Sequence, residues 1–345
     1  MLRPLARLAP ALAAALVLAA GSPAPADPFG GRTPLSRDLV GVGAQVTDQL
    51  FNRLSTDYEA ALTAAGDPNS PRLYSWDATG SSPVTPKLGA YAITRPNGTA
   101  MGLLALNGYH SDTVDFVRTT RGPRAGDPPT TYFVPLARDA VTWAAPAGAD
   151  APADLTPAQL RAIYTCRSTT WDRLDPALPA TPIRPALPDL GSETRTQFLD
   201  AIGVGVLGGC VTTVGAENQG LDPLLVDPGA VVPYSIGHYL GQVYGGHTSL
   251  TDDPGPLVPR AINGNPAVDP ATHTIGSWFA GSAFGHPVGV AVRESDWVGT
   301  DTHGVALRAV FGRTGWICQG SGAADLQSYG FLRFPAAVCG TPTHS

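Results

Sequence analysis

A short apolar segment that runs into a small polar turn and then into a helical pattern occurs three times in this chain. The turns lie at 43–47, 97–99 and 191–194. After the first turn, apolar side chains recur at three- and four-residue steps, as they do on the buried face of a helix. Strands that alternate with helices predict an α/β fold with largely parallel sheets.

Each of these turns also predicts an anion site. The start of a helix presents backbone N–H groups without partners, together with the positive end of the helix dipole. Serine and threonine hydroxyls in the turns add further hydrogen-bond donors. One turn alone is only a capped helix, but three turns that meet in one cleft would hold a tetrahedral oxyanion.

Other elements follow from local patterns. Thr156 and Pro157 are a cap and a first residue for a helix that ends near Tyr164. The Asp-, Pro- and Gly-rich segment 251–285 is predicted to be a loop. Further strands are predicted at 114–117, 132–136, 139–144, 182–187 and 231–235.

The first 26 residues have the pattern of an export signal. Arg3 and Arg7 precede an apolar run over 8–20, and small residues at 24–26 suit a signal peptidase. The apolar run is too short to span a bilayer. We therefore expect an exported, soluble chain with a flexible leader over 27–37. We also expect no lipid anchor, because no cysteine lies near the cleavage site.

Several function classes are disfavoured. A net charge of −6 and the lack of a long basic run argue against nucleic-acid binding. The seven histidines form no H-E-x-x-H pair, and there is no G-x-S-x-G nucleophile turn. We expect no metal, cofactor or catalytic group. The four cysteines fit an oxidising compartment and can pair in three ways. They are Cys166, Cys210, Cys318 and Cys339.

The chain resembles the extracytoplasmic phosphate-binding proteins of ABC importers from about residue 38 to residue 246. The similarity is densest over 155–164, Trp171, 182–183 and 191–198, where helix, tryptophan and anion-loop sequences follow one another. The C-terminal segments 315–318 and 329–331 are similar to an exported actinobacterial branch of that family.

The resemblance implies an α/β, type II periplasmic-binding-protein-like fold with two lobes, two crossovers and a ligand cleft. Lobe I would comprise 38–135 and 286–345, and lobe II 136–285. Both disulfides should then be sequential, Cys166–Cys210 and Cys318–Cys339, because a bridge between lobes would hinder hinge closure. The expected function is non-catalytic, as a monomer that delivers an oxyanion, with phosphate first, to an ABC importer.

The resemblance also implies a ligand set, with departures from the family pattern. Arg121 stands where the family has an aspartate that accepts the ligand's proton, and a guanidinium can only donate. Glu193 replaces a glycine, and Pro188 replaces an arginine. We therefore expect weaker discrimination between phosphate and sulfate than the family shows, with a preference for the more highly charged anion. The expected ligand residues are Gln45, Val46, Thr47, Asn97, Gly98, Thr99, Thr120, Arg121, Ser192, Glu193, Thr194 and Arg195.

Arg121 is one of three arginines at three-residue steps, with Arg118 and Arg124. The three form either an anion clamp or a solvated basic loop. Of these, Arg121 is the one that we place in the ligand set. Two other functions stay open: a secreted hydrolase with an oxyanion hole at the helix starts, and a secreted anion-binding protein without an importer. The lack of a nucleophile–base pair separates the hydrolase from the binding protein.

Overall fold

The computed structural model describes residues 27, 28, 30–108 and 110–344. The predicted export signal lies outside the described residues. The segment predicted to be a flexible leader, residues 27–37, forms an ion pair and a hydrogen bond with the rest of the chain. Asp27 forms an ion pair with Arg95 at 2.5 Å, and Leu88 N donates to Pro34 O at 2.7 Å.

Helices and strands alternate along most of the chain. The helices are α1 Asp48–Ala64, α2 Gly98–Asn107, α3 Pro157–Tyr164, α4 Glu193–Ile202, α5 Ile236–Val243, α6 Ser277–Gly281, α7 Glu294–Val298, α8 Thr302–Phe311, α9 Trp316–Gln319 and α10 Gly322–Ser328. The strands are β1 Leu39–Gly43, β2 Leu73–Ser75, β3 Phe116–Thr119, β4 Thr131–Pro146, β5 Asp154–Leu155, β6 Arg184–Leu187, β7 Thr212–Thr213, β8 Ala230–Ser235, β9 Leu257–Pro259, β10 Ala261–Ile262, β11 Gly285–Arg293 and β12 Leu332–Arg333.

The main sheet has the strand order β2-β1-β3-β11-β4-β8-β6-β7. At one end β1, β2 and β3 are parallel, and at the other β6, β7 and β8 are parallel. The long strand β4 pairs with β11 through its first half and with β8 through 141–144. The chain therefore passes between the two parallel groups along β4 and β11. The lobe boundaries given above stay a prediction.

Each parallel group packs on its own hydrophobic core. In the first core, the Phe116 ring lies between Phe51 at 5.8 Å and Phe311 at 4.9 Å, measured between ring centroids. In the second core, Trp143 and Trp171 are fully buried. Burying aromatic rings of this size supplies much of the free energy that holds α-helices on each side of the sheet.

The structure differs from two of the predicted secondary-structure assignments. The separate strands predicted at 132–136 and 139–144 are one strand, because the pairing with β11 continues through Ala137, Arg138 and Asp139. The loop prediction for 251–285 is wrong in part, because β9, β10 and α6 form there.

The helix expected to begin at Thr156 is confirmed, with the threonine hydroxyl accepting from Gln159 N at 3.2 Å. The sequential disulfide pairing is also confirmed. Cys166 is bonded to Cys210, and Cys318 to Cys339.

Candidate functional site

The starts of α2 and α4 meet. Thr99 N, in the first turn of α2, donates to Glu193 Oε1 in the first turn of α4 at 2.7 Å. Gln197 Nε2 on α4 donates to the carbonyl and the hydroxyl oxygen of Thr120, at 2.6 and 2.7 Å, just after β3. The helix α4 also contacts the turn Gln45–Thr47. The turns picked out from the sequence therefore lie together around one site.

Glycine permits this close approach. Gly98 has φ +82°, and a Cβ atom added there would stand 2.6 Å from Gly191 O. A Cβ atom on Gly191 would stand 2.7 Å from the Asn97 Cγ atom. Any larger residue at either position would push the two helix starts apart.

A second carboxylate caps α4. Glu217 Oε2 accepts from Thr194 N at 3.1 Å and from the Ser192 hydroxyl. Burial raises the pKa of Glu217, and the nearby Glu193 carboxylate adds to the rise. Glu217 was missed in the sequence because it lies in an irregular segment between β7 and β8 without a recognisable motif.

Arg118 is the buried cation beside the polar turn at 43–47. It is fully buried, forms an ion pair with Asp48, and donates to Trp76 O at 2.8 Å and to the Ser75 hydroxyl. Asp48 accepts from Ala78 N at 3.1 Å. Burial raises the pKa of Asp48, and the Arg118 guanidinium opposes that rise. Of the three arginines, Arg118 is thus the one that pairs with Asp48, directly after the polar turn at 43–47.

The side chain of Arg121, which we expected to bind the ligand, is engaged with an acidic residue. Its guanidinium forms a bidentate pair with Asp127 at 2.7 and 2.8 Å and lies over the Phe133 ring. Arg195 also turns back, donating to Pro188 O at 2.8 Å. Neither guanidinium faces the meeting point of α2 and α4.

A buried histidine on α5 is hydrogen-bonded to the polar turn at 43–47. The Nδ1 atom of His238 lies 3.0 Å from Val46 O, and its Nε2 atom lies 2.6 Å from Asp252 Oδ1. Both partners can only accept, so both ring nitrogens donate and the ring is an imidazolium. Burial opposes the charge, but Asp252, Val46 O and Glu217 outweigh it and raise the pKa of His238 to about 9.

This pair predicts a pH-dependent stability. The His238 pKa rises from 6.5 in the unfolded chain to about 9 in the folded chain. Its contribution is therefore complete below 6.5 and is lost as the pH rises through about 9. Urea unfolding from pH 6 to pH 10 should show wild type losing about 2–3 kcal/mol more than a His238→Gln variant over that range. Equal losses in both proteins would contradict the assignment.

Several buried polar atoms around the helix starts have no hydrogen-bond partner among the described residues. Buried polar groups in folded proteins are nearly always paired, so such a cluster indicates a place for a polar ligand. The atoms are Gln45 Oε1, Asn97 Oδ1, Thr99 Oγ1, Glu217 Oε1 and Asn218 Nδ2.

Two further properties concern only the part of the chain that the structure describes. Within it, no group of three or more His, Cys, Asp or Glu side chains is arranged to hold a metal ion. A search of the same residues for helices that could cross a membrane finds none of sufficient length and hydropathy.

The family model described as "PBP superfamily domain" matches residues 55–242, which is more than half of the chain. The chain belongs to the PBP superfamily. This membership agrees with the two parallel strand groups linked by β4 and β11. No curated protein sequence matches the chain.

Solved structures extend the likeness of this PBP superfamily chain to almost its whole length. An ABC-type phosphate transport receptor from Vibrio cholerae is 15% identical, with a TM-score of 0.57, over 86% of this chain and 100% of the receptor. A protein assigned as a phosphate ABC transporter substrate-binding protein from Clostridium perfringens, with bound phosphate, is 13% identical. Its TM-score is 0.60, and the match covers 86% of this chain and 100% of that protein.

These likenesses confirm the predicted fold class, a mixed α/β fold of the type II periplasmic-binding-protein kind. The two neighbours are described as a transport receptor and a substrate-binding protein, and neither description names an enzyme.

Proposed function

We propose that this chain is a non-catalytic, extracytoplasmic binding protein for a small oxyanion, with phosphate as the leading candidate. In this proposal it works as a monomer and delivers the ligand to an ABC importer. The observation that carries the proposal is the meeting of the α2 and α4 starts. Thr99 N and Thr194 N each already donate a hydrogen bond to a carboxylate oxygen, at 2.7 and 3.1 Å. Backbone N–H groups that donate to a carboxylate oxygen can also donate to a phosphate oxygen.

The proposed ligand contacts come from the turns. Backbone N–H groups and the hydroxyls of Thr99, Thr120, Ser192 and Thr194 supply neutral donors. The adjoining residues Gln45, Val46, Thr47, Asn97 and Gly98 form the wall of the site. The side chains of Arg121 and Arg195 are assigned no ligand contact, because Asp127 and Pro188 O hold them.

The acidic groups in the site reverse the expected ligand preference. The expectation of weak discrimination depended on Arg121 as a ligand residue. The buried carboxylates Glu193 and Glu217 instead repel a fully ionised anion and can accept a proton from a protonated one. Phosphate carries such a proton at neutral pH and sulfate does not, so phosphate should bind more tightly.

Neighbouring proteins support the importer and the location. The Vibrio cholerae neighbour is a phosphate transport receptor, and phosphate is bound to the Clostridium perfringens neighbour. With the signal pattern in the first 26 residues, this supports export by the secretory route. The two predicted lobes would close on the ligand about β4 and β11.

Calorimetric titration of the exported chain with phosphate and with sulfate at pH 7.5 tests the proposal. We expect one phosphate per chain and an affinity for sulfate lower by about tenfold or more, since sulfate has no proton to donate to a carboxylate and would leave two hydrogen-bond acceptors facing each other. No heat with either anion, or tighter binding of sulfate, would contradict it.

A further inference from the structure

The Glu193 side chain caps a helix that is not its own. Glu193 is the first residue of α4, yet its Oε1 atom accepts from Thr99 N of α2 at 2.7 Å. Its exposed fraction is 9%, and Thr99 is fully buried. The carboxylate therefore lies at the meeting point of the two helix starts.

The helix α4 does not need this carboxylate for its own start. An acidic residue in a first turn commonly stabilises the helix to which it belongs. Here the Ser192 hydroxyl accepts from Arg195 N at 3.0 Å, and Glu217 accepts from Thr194 N at 3.1 Å. The Thr194 and Arg195 N–H groups at the start of α4 are thus satisfied without Glu193.

The Thr99 N–H group can donate a strong hydrogen bond to only one anion at a time. It is one of the first four N–H groups of α2, which have no partner within the helix. A carboxylate and a second oxyanion that shared this donor would also repel each other at hydrogen-bond distance. The Thr99 hydroxyl is buried and has no hydrogen-bond partner among the described residues, so an anion that replaced Glu193 would find a second donor on the same residue.

We propose that Glu193 is an internal competitor of the ligand, whose carboxylate must leave Thr99 N–H before an oxyanion can bind there. Glu193 thereby lowers the affinity of the site and sets how easily it releases its ligand. This inference rests on the proposed function, because it concerns the same site and the same class of ligand.

Calorimetric titration with inorganic phosphate, at fixed ionic strength and pH, tests the inference on four proteins. These are wild type, Glu193→Ala, Glu193→Gln and Asp200→Ala. Asp200 is a matched control, because it lies on α4, has a side chain 65% exposed and carries the same charge. We expect Glu193→Ala to bind phosphate about tenfold more tightly, since it removes both the competing acceptor and a like charge.

The other variants separate these two effects. Glu193→Gln keeps an oxygen that can accept from Thr99 N but removes the charge, so its affinity should lie between those of wild type and Glu193→Ala. Asp200→Ala should bind as wild type does. The amide signal of Thr99 in a nitrogen–proton correlation spectrum gives a direct readout. In wild type, phosphate should shift it, and Glu193→Ala should shift it without phosphate.

The outcomes distinguish this inference from the proposed function. Phosphate binding to Glu193→Ala but not to wild type would support both. Binding to wild type with equal or weaker binding to Glu193→Ala and Glu193→Gln would overturn the competitor role alone. No phosphate binding to any of these proteins would overturn the proposed function and the competitor role with it.

Discussion

Replacing Arg118 by methionine is expected to lower the free energy of unfolding by about 3–5 kcal/mol, the range for removing one partner of a buried ion pair. Arg118 is fully buried and paired with Asp48, which lies at the first residue of α1. Without the guanidinium, the Asp48 carboxylate keeps its burial but loses the charge that compensates it. Urea unfolding at pH 7 measures the effect.

Two further variants make this result specific. Arg124→Met, in the same segment, removes a guanidinium that is 50% exposed and pairs with Asp200 at 3.8 Å, so it should cost less than about 1 kcal/mol. Adding Asp48→Asn to Arg118→Met should recover part of the loss, because the uncompensated charge is then gone. An Arg118→Met protein within about 1 kcal/mol of wild type would contradict the assigned role.

Replacing Gly98 by alanine is expected to weaken phosphate binding by about a hundredfold, equivalent to about 2–3 kcal/mol of overpacking. The added Cβ atom would meet Gly191 O at 2.6 Å, and this oxygen belongs to the backbone, so no side-chain rotation can relieve the clash. The starts of α2 and α4 would have to separate, and the donors on the two helices would no longer face one ligand. Calorimetric titration with phosphate measures the loss.

Gly66→Ala is the matched control for this variant. Gly66 also has a positive φ, +67°, but apart from its two chain neighbours no described residue has an atom within 4 Å of the position that its Cβ atom would take. It carries the same backbone strain as Gly98→Ala without the clash. Gly66→Ala should bind phosphate as wild type does, and a similar loss in both variants would show that backbone strain alone is responsible.

Local patterns in the sequence were enough to place the helix starts but not the long-range partners. The polar turns at 97–99 and 191–194 begin α2 and α4 as expected. Ser192 caps α4 from within its own turn, as local capping predicts, whereas Asn97 makes no side-chain cap to α2 and the capping carboxylate comes from Glu193. In the series Arg118, Arg121 and Arg124, spacing could not tell which arginine is buried. That depends on Asp48, which lies far away in the sequence.

The same limit explains the groups that the sequence analysis missed. Glu217, His238 and Asp252 enter the site through contacts with Thr194, Val46 and each other across several elements. None of them belongs to a periodic pattern or a short motif. The expected loop at 251–285 likewise contains Asp252, whose role appears only when α5 brings His238 beside it.

A crystal structure of the chain grown with phosphate tests the central claim most directly, that an oxyanion binds where the starts of α2 and α4 meet. The account predicts tetrahedral density between these helix starts, with one phosphate oxygen about 3 Å from Thr99 N. Clear phosphate density at another place, or none between the helix starts at saturating phosphate, would contradict it.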